Sequence, residues 1–160
     1  MKSVIISIRP QWVEKIASGK KTIEVRNSAP QEVPFKAYIY ETKGATETPW
    51  IDEDGHFIYK GRWQVIGEFI CDNVDKYTFS HYEAEYRVTH VEQNAMCLNQ
   101  PELIHYGKGE TLYGWHISDL KIYDKPRELS EFGKVGFGHE VPLKRPCAPW
   151  CYVEDLGEEK

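Results

Sequence analysis

Gly19-Lys20-Lys21-Thr22-Ile23-Glu24-Val25-Arg26 leads from the end of a predicted helix directly into a predicted strand. Apolar side chains recur at helical spacing over residues 12–17, and Pro10 fits the first turn, where its missing N–H is not needed. Gly19 stands where helices commonly end with a left-handed residue. Residues 3–8 are rich in β-branched side chains, which predicts a strand before the helix. The sequence therefore predicts a unit of strand, short helix and strand.

The second strand of this unit, predicted over residues 21–26, has two different faces because side chains alternate along a strand. Ile23 and Val25 mark the buried face, so we expect Thr22, Glu24 and Arg26 to project together from the other. Glu24 and Arg26 can form an exposed ion pair, which is worth at most about 1 kcal/mol. Alternatively, Glu24 orients Arg26 for contact with a phosphate or a base.

Cations gather around this unit. Lys20 and Lys21 follow the helix end, where positive charge is favourable for structural reasons alone. Their functional interpretation is phosphate contact. Lys21 lies on the apolar side of the strand, but at its start, so its ammonium can emerge at the rim of a pocket instead of entering the core. Arg9, just before the helix, can join the same basic rim.

The rest of the sequence predicts further strands and a few short helices. Asn99 and Glu102 form a predicted capping box before a helix that ends near Gly107. Gly67 predicts a bulge or a close backbone approach. Residues 77–97 fit either a helix or a strand. Further strands are predicted at 35–42, 63–71, 112–123 (one strand or a pair, ended by Lys125-Pro126) and 150–154, with a hairpin around Asp54-Gly55 and a helical turn at 126–132.

Length and composition predict one domain over residues 1–160, with a Gly/Pro-rich C-terminal extension from about residue 133. Several strands, two or three short helices and no regular βα alternation predict an α+β fold with a small, mostly antiparallel barrel. No apolar run is long enough to span a membrane and no signal peptide is recognisable, which predicts a cytoplasmic protein.

The chain carries a net charge of -5, divided unevenly: residues 1–30 hold six cations and two anions, and the remainder 14 cations and 23 anions. This excludes a generic polyanion binder but allows one local basic site. Without a secretion signal, disulfides are not expected. Cys147 and Cys151 have a spacing found within some zinc sites, which His116 or His139 could complete, but ordinary thiols are the favoured interpretation. We expect no metal and no cofactor.

The pattern Gly-x-Lys-x-x-Glu-x-Arg, at Gly19, Lys21, Glu24 and Arg26, resembles the signature of the ASCH domain, a family related to the PUA-like RNA-binding folds. The opening at residues 6–10 resembles the same family. The segment Gly114-Trp115-His116-Ile117-Ser118-Asp119-Leu120 looks like the late strand of its phage- and prophage-associated members. The resemblance implies a PUA-like barrel, with RNA or a nucleotide bound in a cleft beside it.

Some members of this family are enzymes, either amidohydrolases that remove an acetyl group from cytidine or ribonucleases. In the amidohydrolases a lysine and a threonine three residues later serve catalysis. Lys21 matches that lysine, but Glu24 stands at the threonine position, and Thr22 has the wrong spacing. Those enzymes also use a glutamate elsewhere in the chain, which this sequence does not assign. If the chain is an enzyme, its predicted catalytic residues are Lys21 and Glu24.

Three functions follow, in this order: an RNA- or nucleotide-binding protein, a hydrolase acting on a modified nucleoside or on RNA, and a protein-interaction module. The predicted ligand-binding residues are Arg9, Lys20, Lys21, Thr22, Glu24, Arg26, Trp115 and His116. Trp115 is either a core residue or a platform for base stacking, and His116 either structural or a proton shuttle. A deep pocket around Lys21 would favour an enzyme, and an open groove with exposed aromatics would favour RNA binding.

Overall fold

The computed structural model describes residues 1–43, 50–51, 54, 57–58, 62–136 and 141–157. These residues form three α-helices, twelve strands and one 3-10 turn at Leu129–Glu131. The helices are α1 (Pro10–Ala17), α2 (His90–Met96) and α3 (Gln100–Gly107). The strands are β1 (Lys2–Ile8), β2 (Ile23–Arg26), β3 (Phe35–Glu41), β4 (Trp50–Ile51), β5 (Phe57–Ile58), β6 (Gln64–Cys71), β7 (Val74–Tyr77), β8 (Phe79–Ser80), β9 (Glu85–Tyr86), β10 (Leu112–His116), β11 (Ser118–Arg127) and β12 (Trp150–Val153).

The predicted unit of strand, helix and strand is confirmed as β1, α1 and β2. Pro10 opens the helix, and Gly19 follows its end with a φ of 80°. β2 begins two residues later than predicted, because helical carbonyls take the preceding amides. Lys21 N donates to Lys15 O at 3.0 Å, and Thr22 N donates to Ala95 O at 2.8 Å. These two bonds fasten the start of β2 against α1 and α2.

The strands form two main sheets, with the orders β11-β6-β3-β1-β12 and β2-β10-β7. In the described part of the chain β1 and β3 are the parallel pair, and the other pairs are antiparallel. β6 continues directly into β7, and β10 continues into β11. Each of these two pairs of consecutive strands therefore leads from one sheet to the other. The predicted α+β class with mostly antiparallel strands is therefore confirmed.

Gly67 lies where β6 meets β11, and a Cβ there would stand 2.5 Å from Lys121 O. The predicted close approach is confirmed. The capping box of Asn99 and Glu102 is confirmed as well. β4 and β5 pair as the expected hairpin, although Gly55 lies outside the described residues.

Three apolar clusters hold these layers together. The first packs α1 against the five-stranded sheet and contains Trp115 and Phe35. The second lies on the other face of that sheet, beneath the segment from residue 129 to 156. The third joins the three-stranded sheet to α2 and α3. The candidate site lies where α1, β2, α2 and α3 meet.

Other boundaries differ from the predictions. Residues 112–127 form two strands that break at Ile117, and the second runs through Lys125-Pro126 to Arg127 instead of stopping there. At the sheet edge, where β11 lies, a proline's missing N–H costs no ladder bond. The ambiguous segment at residues 77–97 contains α2, which begins at a capping box of Thr89 and Glu92.

The expectation of free thiols at Cys147 and Cys151 is wrong, because these residues form a disulfide. Their Cα atoms lie 5.7 Å apart, a separation that suits a disulfide. Cys71 and Cys97 are free. Among the described residues, which exclude His139, no group of three His, Cys, Asp or Glu side chains is arranged to hold a metal ion. None of the described helices has the length and hydropathy needed to cross a membrane.

Candidate functional site

Lys21 is buried instead of emerging at a rim, with 2% of its surface exposed. Its Nζ donates to the carbonyl of Met96, the last residue of α2, and lies 4.9 Å from the centre of the Trp12 ring. The carbonyl end of a helix attracts cations, and so does an aromatic face. Lys21 therefore caps the carbonyl end of α2 and, through the Trp12 ring, connects α2 to α1 at the start of β2.

Glu24 and Arg26 share a strand face, as predicted, but that face is buried instead of exposed. Arg26 Nε lies 3.3 Å from Glu24 Oε1, and the two side chains are only 13% and 7% exposed. Arg26 Nη2 also donates to Ser7 O at 2.7 Å. In the register of β2 and β10, Arg26 stands opposite Tyr113 and Glu24 opposite Trp115. Glu24 and Arg26 therefore form a buried ion pair. Removing one partner of a buried pair lowers the free energy of unfolding more than removing one partner of a surface pair does.

This buried pair is incompletely bonded. Glu24 Oε2 and Arg26 Nε are both buried, and neither has a hydrogen-bond partner among the described residues. A buried acceptor without a donor costs about 1–3 kcal/mol, so proteins rarely leave one in place without a reason. A bound molecule or an ordered water that donates a hydrogen bond to Glu24 would remove that cost.

The surroundings of Lys21 disfavour its charged form. Burial lowers the pKa of Lys21, and the nearby positive charges of Arg26 and Lys15 lower it further, while Glu24 and Cys97 raise it. Burial is the largest of these effects. An amine with a lowered pKa is closer to the neutral form, which can act as a base or a nucleophile.

We expect the stability difference between the wild type and Lys21→Met to change in favour of the wild type as the pH rises from 7 towards 10.5. The lysine binds its proton less tightly in the folded state than in the unfolded state, so deprotonation removes a penalty that folding otherwise incurs. Urea unfolding of both proteins at several pH values measures this difference, and the subtraction cancels the tyrosines that also titrate there. A flat or falling difference would show that burial does not lower the pKa of Lys21.

A pocket of about 580 Å³ opens next to the buried pair, where α3 ends and β10 begins. Tyr113, which lines it, is the register partner of Arg26. Tyr106 also lines it and is 40% exposed. Burial raises the pKa of Tyr106, while the positive charge of Arg26 lowers it and the negative charge of Glu24 raises it. We call this pocket the ligand cleft, and its lining residues are Asn27, Tyr106, Gly107, Lys108, Glu110, Thr111 and Tyr113.

None of these lining residues was predicted from the sequence to be a site residue. Tyr106 lies in the last turn of the capped helix that the sequence predicted, and Lys108 is the left-handed residue that ends it. An aromatic followed by a lysine at the end of a well-capped helix was the available signal. It was missed because these residues are about 80 positions away from the motif at Gly19 to Arg26.

The remaining predicted site residues are spread over different surroundings. Trp115 is 0% exposed and packs edge-on against Phe35 at 5.1 Å, so it lies in the core. His116 Nε2 lies 2.6 Å from Asp75 Oδ2, and both side chains are about one-third exposed. The side chains of Arg9, Lys20 and Thr22 are exposed around α1 and β2.

Comparison with known proteins gives structural neighbours but no sequence relatives. No protein-family model matches the chain, and neither does any curated protein sequence. The structure is similar to three crystal structures of ASCH proteins from Zymomonas mobilis, one called ASCH and two of ZmASCH single-residue mutants.

The likeness to the first mutant has 19% identity and a TM-score of 0.54, and covers 82% of this chain and 78% of that one. The likeness to the protein called ASCH has 20% identity and a TM-score of 0.52, and covers 81% and 76%. The likeness to the second mutant has 16% identity and a TM-score of 0.62, and covers 96% and 89%. Similarity at such identities establishes the fold alone, and the chain therefore has the fold of these ASCH proteins.

Proposed function

We propose that the chain binds RNA or a nucleotide in the ligand cleft. The observation that carries this proposal is the pairing of two accessible tyrosines, Tyr106 and Tyr113, with the buried charges of Glu24 and Arg26 beside them. Bases stack on aromatic side chains at about 1–3 kcal/mol each, and unstacked bases offer their edges for hydrogen bonds. A volume of about 580 Å³ lies within the range of small-molecule sites.

In this proposal the residues of the cleft have different tasks. Tyr106 stacks on a base, and the exposed Lys108 contacts a phosphate as an adaptable point charge. Glu24 Oε2 accepts a hydrogen bond from the ligand, and Arg26 is held in place by Ser7 O. Arg9 and Lys20, the exposed cations of the predicted basic rim, contact a longer RNA together with Thr22.

Several finer expectations from the sequence also remain proposals. They are a closed PUA-like barrel made from the two sheets, a single domain over residues 1–160, a phage- or prophage-type member of the ASCH family, and a protein partner.

We expect Tyr106→Ala to weaken binding of a fluorescein-labelled, random-sequence decamer RNA by about tenfold, within the range of one lost stack. Lys108→Gln should weaken it less and reduce the slope of log affinity against log salt by about one unit, because one phosphate contact is lost. Fluorescence anisotropy at several salt concentrations measures both effects.

Two matched variants control for general damage. Tyr82→Ala removes a tyrosine that is 99% exposed at a hairpin turn, and Lys125→Gln removes an exposed lysine on β11. Neither lies in the cleft, so binding should be unchanged. If Tyr106→Ala and Lys108→Gln bind as the wild type does, the proposed cleft is wrong.

A hydrolase is the second candidate, and the lowered pKa of the buried Lys21 together with the unpartnered Glu24 Oε2 favours it. Against it stands the engagement of the Lys21 ammonium by Met96 O, which a substrate would have to displace. Incubation with short RNAs and a panel of modified nucleosides separates the two candidates. Product formed by the wild type but not by Lys21→Ala would favour the enzyme, and binding without product would favour recognition.

A further inference from the structure

The disulfide between Cys147 and Cys151 closes a short loop that fastens two serines of other segments. Cys147 O accepts a hydrogen bond from Ser7 Oγ at 2.7 Å, and Pro149 O accepts one from Ser7 N at 3.1 Å. Trp150 Nε1 donates to Ser28 Oγ at 3.1 Å. The loop thus holds the end of β1 and the segment after β2 at the same time.

Both serines lead directly to the ligand cleft. Ser7 O is the acceptor for Arg26 Nη2, at 2.7 Å, so the loop positions the carbonyl that positions the arginine. Ser28 follows Asn27, which lines the cleft, and Ser28 O accepts a hydrogen bond from Trp115 Nε1 at 3.2 Å. Hydrogen bonds through Ser7 therefore connect the disulfide loop to Arg26 beside the cleft. A hydrogen bond to Ser28 connects it to the chain neighbour of Asn27, which lines the cleft.

The disulfide is also accessible to reagents. Both cysteines are half-buried, whereas the free Cys71 is buried and its pKa is raised by burial to about 11, which makes it a poor thiolate at neutral pH.

We propose that Cys147 and Cys151 form a reversible dithiol–disulfide site whose redox state sets the ligand affinity of the cleft. A small dithiol is the reductant. One of its thiolates attacks one sulfur of the pair, the Cys147–Cys151 bond breaks, and the released sulfur takes up a proton. The second thiol of the reagent then resolves the mixed disulfide. Two electrons and two protons pass to the protein, and the reagent becomes a cyclic disulfide.

The effect on affinity rests on the proposed function of the cleft. With the bond intact, the loop holds Ser7 and Ser28 in place and Arg26 is preorganised. With the bond open, residues 147–149, which precede β12, gain freedom while Trp150 and Cys151 stay paired with β1. The hydrogen bonds from Ser7 to Cys147 O and Pro149 O then loosen, and the ligand must restore the order of Arg26 as it binds. Coupling between two sites commonly changes affinity by about five- to 150-fold, and for a local loop we expect the low end, about fivefold weaker binding.

The test compares full-length protein after oxidised glutathione with protein after dithiothreitol, and alkylation with mass spectrometry counts the free thiols in each. Affinity for the labelled decamer RNA is measured in both states. In the ligand-free protein, NMR follows the side-chain N–H signals of Arg26 and Trp150. Three variants accompany the wild type: the double variant Cys147→Ser/Cys151→Ser, Cys97→Ser, which removes the other half-buried cysteine, and Ser7→Ala, which removes the bond to Cys147 O but keeps the Ser7 carbonyl.

The proposal is supported if reduction weakens RNA binding about fivefold in the wild type and in Cys97→Ser. The double variant should then bind RNA with the affinity of the reduced wild type under both conditions. In Ser7→Ala, the difference in affinity between the two redox states should be smaller than in the wild type. Equal binding in both states, with the bond shown to open, overturns this proposal while the proposed function stands. If no RNA binds in either state, the proposed function fails and the NMR signals decide. Movement of the Arg26 signal on reduction then supports the coupling, and movement of Trp150 alone overturns it. Four free thiols after oxidation would also overturn it.

Discussion

Trp115→Ala is expected to lower the free energy of unfolding by about 3–5 kcal/mol, the range for removing a buried tryptophan. The indole is 0% exposed, packs edge-on against Phe35 and lies 5.8 Å from the ring of Trp150. Its N–H donates to Ser28 O, which would be left without that donor. Urea unfolding followed by circular dichroism measures the loss.

Trp63→Ala is the matched control, because Trp63 is 52% exposed and its loss should change stability by about 0.5 kcal/mol or less. A Trp115→Ala protein that unfolds as the wild type does, but binds RNA poorly, would contradict the core assignment. It would restore the interpretation of Trp115 as a platform for base stacking.

Glu24→Gln is expected to destabilise the protein by about 3–5 kcal/mol, the usual cost of removing one partner from a buried charge pair. Glu24 interacts with two cations, since it pairs with Arg26 and its negative charge raises the pKa of Lys21. Removing its charge leaves Lys21 and Arg26 buried together without an anion. Arg26→Gln should cost less, because Lys21 still offsets the charge of Glu24.

The double variant Lys21→Met/Glu24→Gln tests whether removing one cation offsets the loss of the negative charge of Glu24. It should be more stable than Glu24→Gln alone, because one of the two unpaired cations is gone, and a double-mutant cycle by urea unfolding gives the interaction energy. If the losses of the two single variants simply add, Lys21 and Glu24 do not interact and the cluster is not electrostatically coupled.

Local sequence patterns were sufficient to predict much of the fold. As predicted, α1 begins at Pro10 and ends just before Gly19, and Asn99 and Glu102 cap α3. Gly67 lies where the backbones of β6 and β11 approach each other closely, also as predicted. Each of these signals depends on neighbours in the sequence or on backbone geometry, so no tertiary information was needed.

The surroundings of the site depend on contacts that the sequence order hides. Alternation placed Glu24 and Arg26 on one face correctly, but whether that face meets water depends on β10, which lies about 90 residues further along the chain. The same holds for Tyr106, which becomes a neighbour of Arg26 only through the fold. Lys21 was expected at a rim because nothing local reveals that the end of α2 lies above it.

The pairing of β1 with β12 has a consequence for how the protein is made. Ser3 and Val153 are register partners, so the two strands of this pair lie 150 residues apart in sequence. At about 5–20 residues per second, synthesis of that interval takes roughly 8–30 s. Throughout it, the run Val4-Ile5-Ile6 lacks its partner on one side, and an open apolar strand edge invites pairing with other chains. Until β12 has been synthesised, the nascent polypeptide therefore carries an open apolar strand edge, and a chaperone that shields this edge would raise the yield of folded protein.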